Sequence, residues 1–202
     1  MGNFQFEQNF ALPKGTIPRL HANLRAIELL KGLESEERLA TSEEQQKLAQ
    51  YVGWGGLSPV FKASPGPRWK SSAKRLKEIL EPEEYDAAFE SVLNAHYTSG
   101  TVIQEIYRGL EQLGFSGGRI LEPSMGTGNF LGHMPEDIAM RSQVTGVELD
   151  SLTGRIAKQL YPEHEIYVQG FQETPLPQDY FDLAISNVPL EIIELQTQNM
   201  ML

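Results

Sequence analysis

The chain has 202 residues, 40% of them hydrophobic and 22% charged, with a net charge of −10 and no cysteine. That length suits one domain with a sizeable core, or one domain with a smaller appendage. The lack of cysteine excludes disulfides and thiolate metal sites, and His21, His96, His133 and His164 are scattered without metal-ligand spacing. No apolar run is long enough for a transmembrane helix. The start, MGNFQFEQNF, has no signal-peptide pattern, and Phe6 stands where a myristoylation signal needs Ser or Thr. The expectation is a soluble, cytoplasmic, metal-free protein.

In chain order, IPRLHANLRAIELLKGL sets Leu20, Leu24, Ile27, Leu30 and Leu33 on one helical stripe. TSEEQQKLAQYV opens with a capping box, Thr41 to Glu44, and predicts a helix that runs to the glycines of GWGG. At GWGG the residues allow either a helix C-cap with Trp54 anchored in the core or an ordered loop beside a ligand. SPVFKASPGPRW predicts a loop. SSAKRLKEIL and PEEYDAAFESVLN predict two helices, with Pro82 in the first turn of the second.

Charge is uneven along the chain. Residues 1–80 hold 12 Lys/Arg against 8 Glu, and residues 81–202 hold 5 against 19 Asp/Glu. Lys62, Arg68, Lys70, Lys74, Arg75 and Lys77 crowd together. Beside an acidic body they suit contact with phosphates; the plainer reading is a solvated helix face and loop.

The pattern changes near residue 98. SGTVIQEIYRGLEQLG is an amphipathic helix closed by Gly114, and RILEP, QVTGVEL, EIYVQG and FDLAIS read as strands separated by helical or loop segments. Strands alternating with helices imply a parallel sheet. The predicted fold class is α/β, a partial doubly wound, Rossmann-like parallel sheet preceded by a small helical domain. Residues 1–95 form the helical domain, 96–190 the half-sheet domain and 191–202 a tail.

RILEPSMGTGNFLG places Gly126 and Gly128 after a strand and before a helix start, where backbone can approach a cofactor. Glu148 ends the next strand about 20 residues on, the distance at which an acid accepts ribose hydroxyls. Glu122, at the tip of the first strand, would repel a pyrophosphate and suits a ligand with a cationic tail, such as the ammonium of S-adenosylmethionine (SAM). The alternatives are a helix-capping role for Glu122 and an ordinary surface acid at Glu148.

LEPSMGTGNFL, GVELD and SNVP in this order resemble a class I SAM-dependent methyltransferase of the amino-methylating DNA type. YVGWGGL, NAHYTS and RILEPSMGTGNFLG extend the resemblance to the N-terminal DNA methylase region of large methylase–helicase proteins of plasmids, phages and conjugative elements. It covers about residues 20–190. The resemblance implies that Tyr97 and Thr98 approach the methionine end of SAM, that Glu122, Pro123, Gly126 and Gly128 form the cofactor loop, and that Glu148 binds the ribose. Leu149 would pack near the adenine, and Gly170 and Phe171 match the segment after the third strand, where many relatives carry an Asp and this chain has Gln169 and Gln172 nearby.

Asn187 and Pro189 match the catalytic tetrapeptide, in which the Asn oxygen and a backbone carbonyl at 188 or 189 would orient the amino group of a flipped adenine. Its fourth position, usually aromatic, is Leu190. The implied function is N6-adenine DNA methylation, with DNA contacted through the basic stretch. A non-catalytic SAM-binding or interaction module and a protein-glutamine methyltransferase are the alternatives. With four strands where such a sheet has seven, the chain is expected to be the front portion of a larger methylase or helicase polypeptide.

Overall fold

The computed structural model describes residues 2–7, 9–92 and 98–187. Helix α1, Thr16–Ser35, buries the predicted stripe and also Ala22, Asn23 and Ala26, so its buried face is wider than the five apolar positions. It packs against α2 (Ser42–Leu48), α3 (Pro67–Ile79) and α8 (Ser151–Leu160). The capping box forms at α2: the Glu44 amide donates to the Thr41 hydroxyl, and the Thr41 amide to the Glu44 carboxylate at 2.8 Å. This helix stops at Leu48, four residues short of the predicted Val52. Beyond it the Gln50 and Tyr51 amides turn to carbonyls three residues back, and the Val52 amide bonds the Asn23 side chain. Conversely, α3 starts at Pro67, inside the segment predicted as loop, because Pro67 at its first turn already has a helical φ. Helix α4, Pro82–Glu90, also opens on its proline. The expected boundary near residue 96 lies outside the described residues.

Helix α5, Gly100–Gln112, is capped by Ser99 and buries Ile103 and Tyr107. Then follow β1 (Arg119–Glu122), the short helices α6 (Asn129–Gly132) and α7 (Glu136–Ala139), β2 (Gln143–Glu148), α8, β3 (Glu165–Val168) and β4 (Leu183–Ala184). All four predicted strands are present, and every pairing is parallel, in the order β3-β2-β1-β4. The chain builds outward from β1 to β3 and returns with β4 on the other side of β1. The carboxyl ends of β1 and β4 therefore flank the point where the winding reverses, the usual place for a ligand crevice in an open α/β sheet.

The helices before residue 92 and the sheet share one continuous hydrophobic core. At the seam, Glu84, whose side chain is 8% exposed, accepts from Lys31 of α1 at 2.8 Å and from Arg155 of α8 at 2.6 Å. Burial pushes its carboxyl up, but the hydrogen bonds from Lys31, the Glu81 amide and Arg155 outweigh this and hold it below the ordinary carboxylate value. Gln45 of α2 donates to the carbonyls of Gln159 and Leu160 at the end of α8. The N-terminal segment joins the same layer, with the Phe4 amide donating to Leu160 and the Phe6 amide to Gly132.

Candidate cofactor site

A cavity of about 200 Å³ opens at the carboxyl ends of β1 and β2. Glu122, Met125, Gly126, Glu148 and Asn187 supply its sheet side; Tyr51, Gly53 and Trp54 wall it from the helical region. GWGG does not cap α2, whose C-cap is Ala49. Trp54 is 2% exposed and anchored in the core, and the same loop lines the cavity.

The β1–α6 loop takes its shape from glycine. Gly126 has φ 58° and Gly128 φ 83°, left-handed values that side chains seldom adopt. A Cβ on Gly126 would meet nothing within 4 Å, whereas one on Gly128 would overlap the Tyr161 ring. The Tyr161 hydroxyl donates to the Gly128 carbonyl at 2.7 Å, and the Tyr107 hydroxyl to the Phe130 carbonyl at 3.1 Å. Two buried tyrosines, from beyond α8 and from α5, thereby hold the loop and the start of α6. Gly128→Ala is expected to cost on the order of 3 kcal/mol of stability, from backbone strain plus the ring collision. Chemical denaturation checks this.

Glu148 lies across from the loop. Its carboxylate accepts from the Gly126 amide at 2.7 Å and from the Asp150 amide at 2.8 Å. Burial raises its proton affinity, opposed by those amides. Each oxygen keeps a second lone pair that a ligand hydroxyl can use.

Glu122 is 1% exposed, and its Oε2 has no hydrogen-bond partner. Burial, with the nearby Glu148 charge, pushes its carboxyl well above the ordinary range. An unpartnered buried carboxylate oxygen is costly. Here it lines a cavity, and a cation entering that cavity would relieve the cost. The donor set therefore fits a ligand with a cationic end and a hydroxylated end.

Of the other expected site residues, Thr98 lines the cavity, and Asn187 reaches it just beyond β4. Pro123 is half-buried and does not line the cavity. Leu149 is 75% exposed and Phe171 47% exposed, and neither lines the cavity. Tyr97, Val188, Pro189 and Leu190 lie outside the described residues. Tyr107 and Tyr161, which hold the glycine loop, were not singled out for the site from the sequence. The spacing of Tyr107 on the buried face of α5 reads only as core, and Tyr161 follows α8 without a motif.

The basic residues Lys62, Arg68, Lys70, Lys74, Arg75 and Lys77 are all exposed. Arg75 pairs with Glu28 at 2.6 Å and Lys74 with Glu78 at 3.8 Å; Arg68 lies over Trp69 and Lys77 over Tyr85. Among the described residues no helix is long and apolar enough to cross a membrane, and no group of three His, Asp or Glu side chains could hold a metal ion.

Fold and site together define a doubly wound α/β protein with an open crevice at the winding reversal. Residues 121–200 match the family described as a methyltransferase domain. Defense against restriction protein B of Escherichia phage P1 is 28% identical over 173 residues, which are 85% of this chain and 6% of that protein. Among solved structures, a protein from Listeria monocytogenes described as a class I SAM-dependent methyltransferase is 17% identical, with a TM-score of 0.39, over 84% of this chain and 59% of that one. The methyltransferase subunit of a type I restriction-modification system from Streptococcus thermophilus is 14% identical, also at 0.39, over 88% of this chain and 46% of its own. The chain thus spans a small part of the phage protein and about half of each solved chain.

Proposed function

We propose that this chain binds SAM in the crevice and belongs to an enzyme that methylates the amino group of adenine in DNA. The observation that carries the reading is the buried Glu122 carboxylate, with an unpartnered oxygen on a cavity whose opposite acid, Glu148, is pinned by the glycine-loop amide. Bound there, SAM would supply a methyl group carried on a cationic sulfur. Glu122 would hold the ammonium and Glu148 the ribose hydroxyls, while Gly126 leaves room for backbone contact.

Asn187, on the sheet side of the same cavity, would accept an N–H of the target amine and aim its nitrogen lone pair at the methyl. The new N–C bond would form as the C–S bond breaks, and the amine proton would leave to solvent. DNA phosphates would meet the exposed Lys62–Lys77 stretch. The rest of a methylase or helicase polypeptide would complete the base pocket.

Calorimetric titration with SAM and with its demethylated product tests the reading. Saturable binding of both supports it, and a folded protein that binds neither overturns it. Labelled methyl transfer to unmethylated DNA, or instead to a glutamine-containing peptide, separates the two enzyme readings. Binding without either transfer would make this chain a SAM-binding module.

A further inference from the structure

Asn23 sits in the middle of α1, is 0% exposed, and is surrounded along its helix face by Leu20, Leu24 and Ile27. An amide in such a place is costly unless its polar atoms are bonded. Both are. Its Nδ2 donates to the Gly53 carbonyl at 2.7 Å, and its Oδ1 accepts from the Val52 amide at 2.9 Å. These two partners are consecutive residues of the loop that walls the cavity. On either side the loop has its own backbone bonds, Tyr51 to Leu48 and Leu57 to Trp54. Between them, the Val52 amide and the Gly53 carbonyl are bonded by Asn23.

We propose that Asn23 is a positioning residue for the cofactor crevice: held by two hydrogen bonds to the Val52–Gly53 backbone, the helical region becomes one wall of the site. The inference rests on the SAM-binding reading. Asn23 itself does not line the cavity, so it acts through the loop. Gly53, at φ 60°, and Trp54 are the parts it sets. Trp54 packs edge-on against Tyr51 at 6.3 Å and Phe61 at 5.3 Å, so a shift at residues 52–53 carries the indole with it.

The alternative is that Asn23 merely holds the core together. Three proteins separate the two: the unsubstituted chain, Asn23→Leu, and Leu33→Val, which loosens the same helix at a buried position that does not line the cavity. Calorimetry with SAM reads affinity and stoichiometry separately. In a Trp69→Phe background, Trp54 is the remaining tryptophan of the two, and its emission reports the loop.

Asn23→Leu is expected to weaken SAM binding about tenfold or more, the effect of two lost hydrogen bonds, at unchanged stoichiometry. Trp54 emission should move to longer wavelength. Leu33→Val should lower the melting temperature and change neither readout. If Asn23→Leu does not fold, Asn23→Asp keeps the acceptor for Val52 and removes the donor to Gly53, and the same comparison applies. Wild-type affinity in the Asn23 variant, or equal loss in Leu33→Val, overturns the inference and leaves the functional reading intact. An unsubstituted chain that binds no SAM overturns both.

Discussion

Gly126→Asp is expected to abolish SAM binding while leaving the chain folded. A side chain at Gly126 has open space around it, and φ 58° is a conformation that Asp tolerates better than most residues. The stability cost should therefore stay near 1–2 kcal/mol. The new carboxylate would stand in the cavity itself, beside Glu122 and Glu148, where it takes ligand space and adds a third acid. A loss of at least about 4 kcal/mol of binding, roughly a thousandfold, is the expected scale. Calorimetry paired with a melting curve checks it. Binding within tenfold of the unsubstituted chain would remove the glycine loop from the site. The contrast with Gly128→Ala is informative: two glycines of one motif fail by different routes, the first by blocking a ligand and the second by striking Tyr161.

Glu122→Gln should move affinity and stability in opposite directions. The buried carboxyl has its proton affinity raised by burial and by Glu148. A carboxyl raised in the folded state costs nothing below its unfolded value, where both states are protonated. As pH climbs above that value, the unfolded chain ionises and the folded chain resists, so this group destabilises the fold increasingly up to its folded value. Glutamine removes that penalty. The variant should be more stable than wild type by about 1–3 kcal/mol at pH 8, with the gap closing towards pH 4.

Affinity for SAM should fall by about ten- to a hundredfold, because a charge-assisted contact with the ammonium is lost. Wild-type affinity should strengthen with rising pH as Glu122 ionises around its cation, and the variant should lose that slope. Melting curves and titrations at pH 5 and pH 8 test all three signs. A variant that binds SAM as tightly as wild type would move the ammonium site elsewhere.

Much of this site could be read from motif and spacing. Gly126 and Gly128 follow a strand, Glu122 ends that strand and Glu148 ends the next, as RILEPSMGTGNFLG and QVTGVEL imply. Thr98 and Asn187 also reach the cavity. Leu149 and Phe171 are exposed and do not line that cavity. The role of the helical region in the site was the least legible part. YVGWGGL allows a helix cap with a core tryptophan or a ligand loop; Trp54 is in the core and the segment lines the cavity, but α2 ends before it.

The boundary between what was written locally and what was not follows the range of the interactions. The α1 stripe, the Thr41–Glu44 box, Pro82 at a helix start and the four strands depend on periodicity or on neighbours a few residues away, so they leave a pattern in the chain. The hold on the Val52–Gly53 backbone and the clamping of the glycine loop depend on Asn23, Tyr107 and Tyr161, whose backbone partners lie 30, 23 and 33 residues away. Such a bond needs one donor near one carbonyl and imposes no spacing. Only when α1 packs on α2, α5 on α6 and α8 on the sheet do these side chains meet the backbone they hold.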